Sequence, residues 1–201
     1  MNRTMRDSAI PAAIPRPGLD LVAGYYNGRF TWSPTDWARF RPSVPRVRID
    51  VNGTAPADAS VLDVENGDAT PQEAVPWVQA RRKLFPGTAP TIYCNRSTAV
   101  LAEAALHAAG LHPGIEYTLW IATLDGDQKA ADALAKGPGV VAVQWKGQAQ
   151  TGGHYDESIV YDPSWHPAAV PGPAWQQTAL MQAQTLATAA GNLVKLLEAH
   201  Q

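Results

Sequence analysis

The sequence predicts an α/β fold built on a mainly parallel sheet, and two observations predict it. Short apolar segments of strand length alternate with helix signatures through most of the chain. Those signatures are specific: a capping residue, a proline at the first helical position and, at Thr70-Pro71-Gln72-Glu73, an acid placed to complete a capping box. The chain has 201 residues, 45% of them hydrophobic and 17% charged, enough for one packed domain with a tail. Period alone does not separate an open sheet from a closed barrel.

Residues 1–18 read as an N-terminal arm, rich in proline and glycine towards its end. A first strand is expected over 19–26, closed by the turn dipeptide Asn27-Gly28. Ser33-Pro34-Thr35-Asp36 starts a helix that Pro42 ends. The alternation at 47–51 predicts a second strand, and 61–65 a third. Too few residues lie between them for a helical crossover, so the architecture is irregular there. A helix follows from Thr70 to about Leu84, then a strand over 91–94. Ser97 is expected to cap a helix running to Ala109 and Gly110. Strands over 117–122 and 140–145 flank a short helix over 127–136, and 158–161 is a possible last strand. Prolines 163, 167, 171 and 173 mark a linker over 163–174. Residues 175–201 read as an amphipathic helix with an Ala/Leu seam at heptad spacing, suited to self-association or to docking on a partner.

Composition narrows the function classes. A formal net charge of -2 gives no bulk attraction to nucleic acid or an anionic membrane. Arg39, Arg41, Arg46 and Arg48 are interrupted by Pro42 and Pro45 and read as a solvated loop face. Cys94 is the single cysteine, so no internal disulfide forms, and its apolar neighbours predict a buried thiol. No Cys/His spacing suggests zinc, and no metal or cofactor is expected. A nucleotide-binding domain is disfavoured, because no Gly-rich phosphate loop follows the first strand. The N-terminus lacks the apolar core of a signal peptide, and no apolar run reaches the ~20 residues of a membrane span.

Asp63 and Glu65 are the first candidates to carry chemistry. Two apart on a strand, they project to the same side. Paired carboxyls raise one another's pKa, leaving a proton donor beside a carboxylate, the pairing that glycoside hydrolysis uses. Asn66-Gly67 ends the strand there, and the C-terminal strand ends build the sites of parallel α/β folds. Two solvent-facing acids near a strand end are the simpler alternative.

Four motifs in order then resemble a family. They are Leu62-Asp63-Val64-Glu65, Pro90-Thr91-Ile92-Tyr93, Leu119-Trp120-Ile121-Ala122, and Val143-Gln144-Trp145 followed by Gly152-Gly153 and Tyr155-Asp156. Over residues 61–162 the chain resembles the family 25 glycoside hydrolases, the cellosyl-like muramidases, in a shortened actinobacterial or phage form. The resemblance implies an irregular, shortened TIM-like (β/α) barrel over 19–162. It implies Glu65 as general acid, Asp63 as its partner and Asp156 as the last-strand carboxylate. Tyr93 and Trp120 become sugar-facing residues, with Tyr26, Trp145 and His154 further candidates for the cleft. Trp32 could also stack on a sugar, although core packing is the simpler role for any one tryptophan. The implied partner is peptidoglycan or another glycan. The protein would then be made in the cytoplasm and act at a cell wall or in a virion, by a delivery route the chain does not encode.

Two departures accompany the resemblance. The family's first strand ends in an aspartate ahead of an Asp-Trp pair. Asp36-Trp37 is present, but Tyr25-Tyr26-Asn27 carries no acid upstream, which leaves Asp50 as a substitute. The segment before the acidic pair is also far shorter than the family's, so at least one βα unit is expected to be missing there. A non-catalytic, carbohydrate-binding or structural protein of a phage tail or virion is therefore the alternative to an enzyme.

Overall fold

A computed structural model describes residues 2–165. Eight strands close into a barrel in chain order. These are β1 (Arg3–Asp7), β2 (Leu21–Tyr25), β3 (Arg46–Asp50), β4 (Val61–Asp63), β5 (Thr91–Asn95), β6 (Thr118–Ala122), β7 (Val140–Lys146) and β8 (Asp156–Val160). β1 to β7 run parallel, and β8 closes the ring antiparallel to both β7 and β1. Helices α1 (Pro34–Ala38), α2 (Pro71–Leu84), α3 (Arg96–Ala108), α4 (Gln128–Leu134) and α5 (Gln148–Thr151) lie in the connections. The fold is thus the α/β, TIM-like closed barrel that the sequence predicts. The linker beyond Trp165 and the expected helix over 175–201 lie outside the described residues.

The expected N-terminal arm is instead barrel wall. In β1, Arg3, Met5 and Asp7 share the inward face and Arg6 projects outwards, so a single apolar residue marks the core face. That is too little hydropathy for a strand signal. Pairing on both edges and the arginines hold the strand. Arg3 donates to the carbonyls of Asp162 and Trp165, and Arg6 to Glu157 and to the carbonyls of Pro15 and Pro17. The strand expected over 19–26 is therefore the second.

Local chemistry explains the helix starts. Ser33 with Asp36 and Thr70 with Glu73 form reciprocal capping boxes at α1 and α2. At α3 the cap is Asn95 rather than Ser97: its Oδ1 accepts from Ser97 N and Thr98 N, both at 3.0 Å. Asp127 caps α4. No helix joins β3 to β4. Their connecting loop is tied down by Asp50 and by Arg81 of α2, whose guanidinium donates to Pro56 O at 2.6 Å.

Strand alternation divides the core. Met5, Leu21, Ala23, Val47, Ile49, Val61, Trp120, Ala142 and Val160 pack in one cluster. Leu62, Val64, Ile92, Cys94, Leu119 and Ile121 face the other way, against Trp77 and Val78 of α2 and Ala102 and Leu106 of α3. Each large side chain so enclosed contributes about 1.5–3 kcal/mol relative to exposure. Burial also pushes the Cys94 thiol far up, so it stays neutral. Trp32 packs with Trp37, Phe40, Val22 and Ile14. Its ring lies so close over Gly24 that a Cβ there would sit 2.4 Å from it.

Candidate active site

Because β1 to β7 are parallel, their C-terminal ends share one rim of the barrel, and antiparallel β8 begins at that rim. Asp7 ends β1 and Asp156 starts β8, and the two are directly paired in the ladder. Residues opposed in this way project to the same face of the sheet. Asp63 ends β4, opposite Tyr93 of β5, which is itself opposite Trp120 of β6. Glu65 lies two residues beyond Asp63, in the turn that Gly67 makes with a φ of 100°. The rim thus carries Asp7, Asp63, Glu65 and Asp156.

Their exposures differ. Asp7 is 4% and Asp63 3% exposed, while Glu65 and Asp156 are half-buried. Burial is the largest cause of a raised pKa in all four. The charges of Asp156 and Glu65 raise Asp7 further, and those of Glu65, Asp68 and Asp7 raise Asp63. Glu65 is raised by burial, partly offset by a hydrogen bond from Asn95, with Asp68 and Asp156 adding repulsion. For Asp156 a backbone bond from Gln148, at the start of α5, works against burial. Oδ1 of Asp63 is buried and has no hydrogen-bond partner among the described residues. The nearby cations are engaged elsewhere: Arg6 and Lys146 both pair with Glu157, at 3.0 and 3.3 Å. Burial and mutual repulsion therefore disfavour the charged form of each of the four acids.

A buried polar layer underlies them. Tyr93 donates its hydroxyl proton to Gln144 Oε1, and Gln144 Nε2 donates to Asp7 Oδ1 at 3.4 Å. Trp120 Nε1 donates to Ser158 Oγ at 3.0 Å. Tyr93 and Trp120, expected to face sugars, are 8% and 0% exposed and pack edge-on at 4.6 Å. They form the floor of the site.

The remaining expected residues are scattered. Tyr26 lies outside the cleft, its ring 5.9 Å from the Arg48 guanidinium, with Asp58 raising its pKa after burial. Its neighbour Tyr25 is the inward one. Burial and then the charges of Asp7, Asp63 and Asp156 raise Tyr25's phenol, which therefore stays protonated above the acids. Asp50 is fully buried and accepts four hydrogen bonds, from Asn27 Nδ2, Asn52 N, Ala55 N and Trp77 Nε1. It is a structural tie, and the acid at the first strand's end is Asp7. Trp145 sits at an irregularity in β7 with the Lys146 ammonium 4.0 Å from its ring centre. His154 is exposed, and its carbonyl accepts from the Ser8 hydroxyl, which links the end of β1 to the turn before β8.

Asp7, Tyr25 and Gln144 were missed on the sequence. Gln144 stood inside a quoted motif, but the neighbouring tryptophan drew the assignment. Among the described residues no group of three or more His, Cys, Asp or Glu side chains is disposed to hold a metal ion. None of their helices is long and apolar enough to cross a membrane. A separate open depression of about 680 Å³, lined by Arg16, Asp20, Phe40 and Arg41, lies where the chain enters β2 and β3 and contains none of the four acids. Compared with known families, curated proteins and solved structures, the chain matches none.

Proposed function

We propose that this protein is a muramidase-like glycoside hydrolase that cleaves the glycan backbone of peptidoglycan. The observation that supports it most is the gathering of four carboxyls at one barrel rim, with Asp7 at the end of the first strand. That is the position at which the family 25 resemblance expects an aspartate. The buried Asp7 and Asp63 hold their charge or proton away from solvent, while half-buried Glu65 is raised and reachable by substrate.

In this reading Glu65 gives its proton to the glycosidic oxygen as the bond to the anomeric carbon breaks. The oxygen of the substrate's own N-acetyl group attacks that carbon, so no enzyme nucleophile is consumed. Asp63 orients the N-acetyl nitrogen, and Glu65, now a carboxylate, accepts a proton from the water that opens the cyclic intermediate. Tyr25 stands over the acids as a neutral donor.

Turbidity clearing of purified cell walls by wild type and Glu65→Gln is the direct test. Wild-type clearing that the variant loses, with its melting temperature held or raised, supports the hydrolase. Walls that are bound but not cleared by wild type would instead favour the carbohydrate-binding alternative.

A further inference from the structure

The proposed mechanism leaves the buried chain of Tyr93, Gln144 and Asp7 unused. All three are more than nine-tenths buried, at 8, 1 and 4% exposure. A carboxamide has one accepting end and one donating end, and hydrogen-bond partners decide which way it points. As oriented, Oε1 takes the Tyr93 proton and Nε2 faces Asp7 Oδ1. Reversal would turn Nε2 towards the phenol, which would then have to accept. The phenol's own proton would be left buried with no other partner among the described residues. Reversal would also set Oε1 against Asp7 Oδ1, two acceptors in contact unless that oxygen were protonated.

We infer that Gln144 is a positioning residue: held in one orientation by Tyr93, its amide keeps Oδ1 of Asp7 a proton-free acceptor, so any proton Asp7 carries sits on Oδ2. The catalytic consequence rests on the muramidase reading, in which the charge and proton of Asp7 act on Glu65 and Asp63 beside it; the amide geometry does not. The groups that face Asp7 are Asp156 from β8, Asp63 and Glu65 from the end of β4, Tyr25 from β2 and Tyr93 from β5. On β7 and β1, Lys146 and Arg6 turn to Glu157. Among the described residues, Gln144 is the side chain that donates to Asp7.

The test follows the aspartate carboxyl carbons by NMR across roughly pH 3 to 9, the span over which shifted carboxyls titrate, using the full chain with carboxyl-labelled aspartate. Gln144→Met keeps the side chain's length and removes the donor. Its Asp7 midpoint should rise by about one pH unit, because a donor to the anion is lost. Tyr93→Phe removes one oxygen and frees the amide to reverse, so the Asp7 midpoint should rise by less. The midpoint of Asp68, on the exposed turn, should stay put in both variants. An unchanged or lowered Asp7 midpoint in a folded Gln144→Met protein overturns the inference. Should that variant not fold, an unchanged midpoint in Tyr93→Phe overturns it equally. No substrate enters the titration, so it fails independently of wall clearing. A shifted Asp7 in a protein that clears no walls keeps the positioning role and removes the hydrolase, and the reverse result does the opposite.

Discussion

Asp50 and Asp63 end adjacent parallel strands, both are almost fully enclosed, and they are built for different ends. Asp50 accepts from four donors: its Oδ1 from Asn27 Nδ2 at 2.8 Å and Asn52 N at 3.0 Å, its Oδ2 from Ala55 N at 2.6 Å and Trp77 Nε1 at 2.8 Å. These bonds fasten the loop that stands where a crossover helix would be and tie it to α2. Asp63 has a buried oxygen with no partner and three acidic neighbours that oppose its charge. A carboxyl held in that way destabilises the fold, and carboxyls so placed concentrate at functional sites. The lesson is that burial alone does not separate a structural acid from a candidate for chemistry. The count of donors does.

The largest effect that can break this contrast is Asp50→Ala. It leaves the Trp77 indole and two backbone N–H groups without their acceptor, and losing one side of such a buried network costs about 3–5 kcal/mol. Urea unfolding should show the loss, and a change under about 1 kcal/mol would end the case for Asp50 as a tie. The opposite sign is expected at Asp63. Asp63→Asn keeps the shape and removes a buried charge or its retained proton, so stability at pH 7 should rise by on the order of 1 kcal/mol. A fall of similar size would mean that Asp63 has a stabilising partner after all.

Legibility in the sequence follows the same physics. β2 to β7, the start of α1 and the capping box of α2 could be read because apolar periodicity and caps are local signals. β1 could not, since Arg3 and Asp7 share the inward face with Met5, which alone is apolar there. Missing it made the first-strand acid look absent and led to Asp50 as its substitute. The placement of Asp63 and Glu65 at the rim could be read because strand ends in parallel sheets meet there, whereas Asp156 reaches the same rim from the start of antiparallel β8. The error at Tyr26 was one of parity. A strand boundary read one residue late exchanges inside for outside, so Tyr25 was passed over. Gln144 was hidden because a glutamine within a strand has no local signature, and its role exists only through Tyr93 and Asp7.

The pH dependence sharpens the comparison across the whole rim. Asp7, Asp63, Glu65 and Asp156 all have folded pKa values above their ordinary ones. The folded state therefore holds more protons than the unfolded one through the range above about pH 4, and stability falls as pH rises through it. The exposed capping acids Asp36 and Glu73 work oppositely: their lowered pKa values give stability at neutral pH that is lost below the ordinary carboxylate range. The melting temperature should thus be higher near pH 5 than near pH 7.5. In the double variant Asp7→Asn/Asp63→Asn the difference should shrink. A wild-type melting temperature that climbs steadily from pH 5 to pH 7.5 would contradict the raised values.

The smallest expected effect on stability separates two neighbouring tyrosines. Tyr25 is inward and stands over Asp7, Asp63 and Asp156, while Tyr26 packs beside Arg48 and Asp58. Replacing either with phenylalanine removes one half-buried hydroxyl, so both variants should stay within about 0.5–1 kcal/mol of wild type. Their chemistry should differ. Burial and the surrounding acids keep the Tyr25 phenol protonated at every working pH, so it can always donate, either to a carboxylate or to a group on the substrate. Removing a donor that acts on charge developing in the transition state costs about a hundredfold in rate when the contact is direct. Tyr25→Phe should therefore slow wall clearing by about tenfold or more, and Tyr26→Phe should leave it unchanged. Equal clearing by both variants would take Tyr25 out of the mechanism. A loss confined to Tyr26→Phe would mean that substrate binds along the Arg48 side of β3, away from the buried acids.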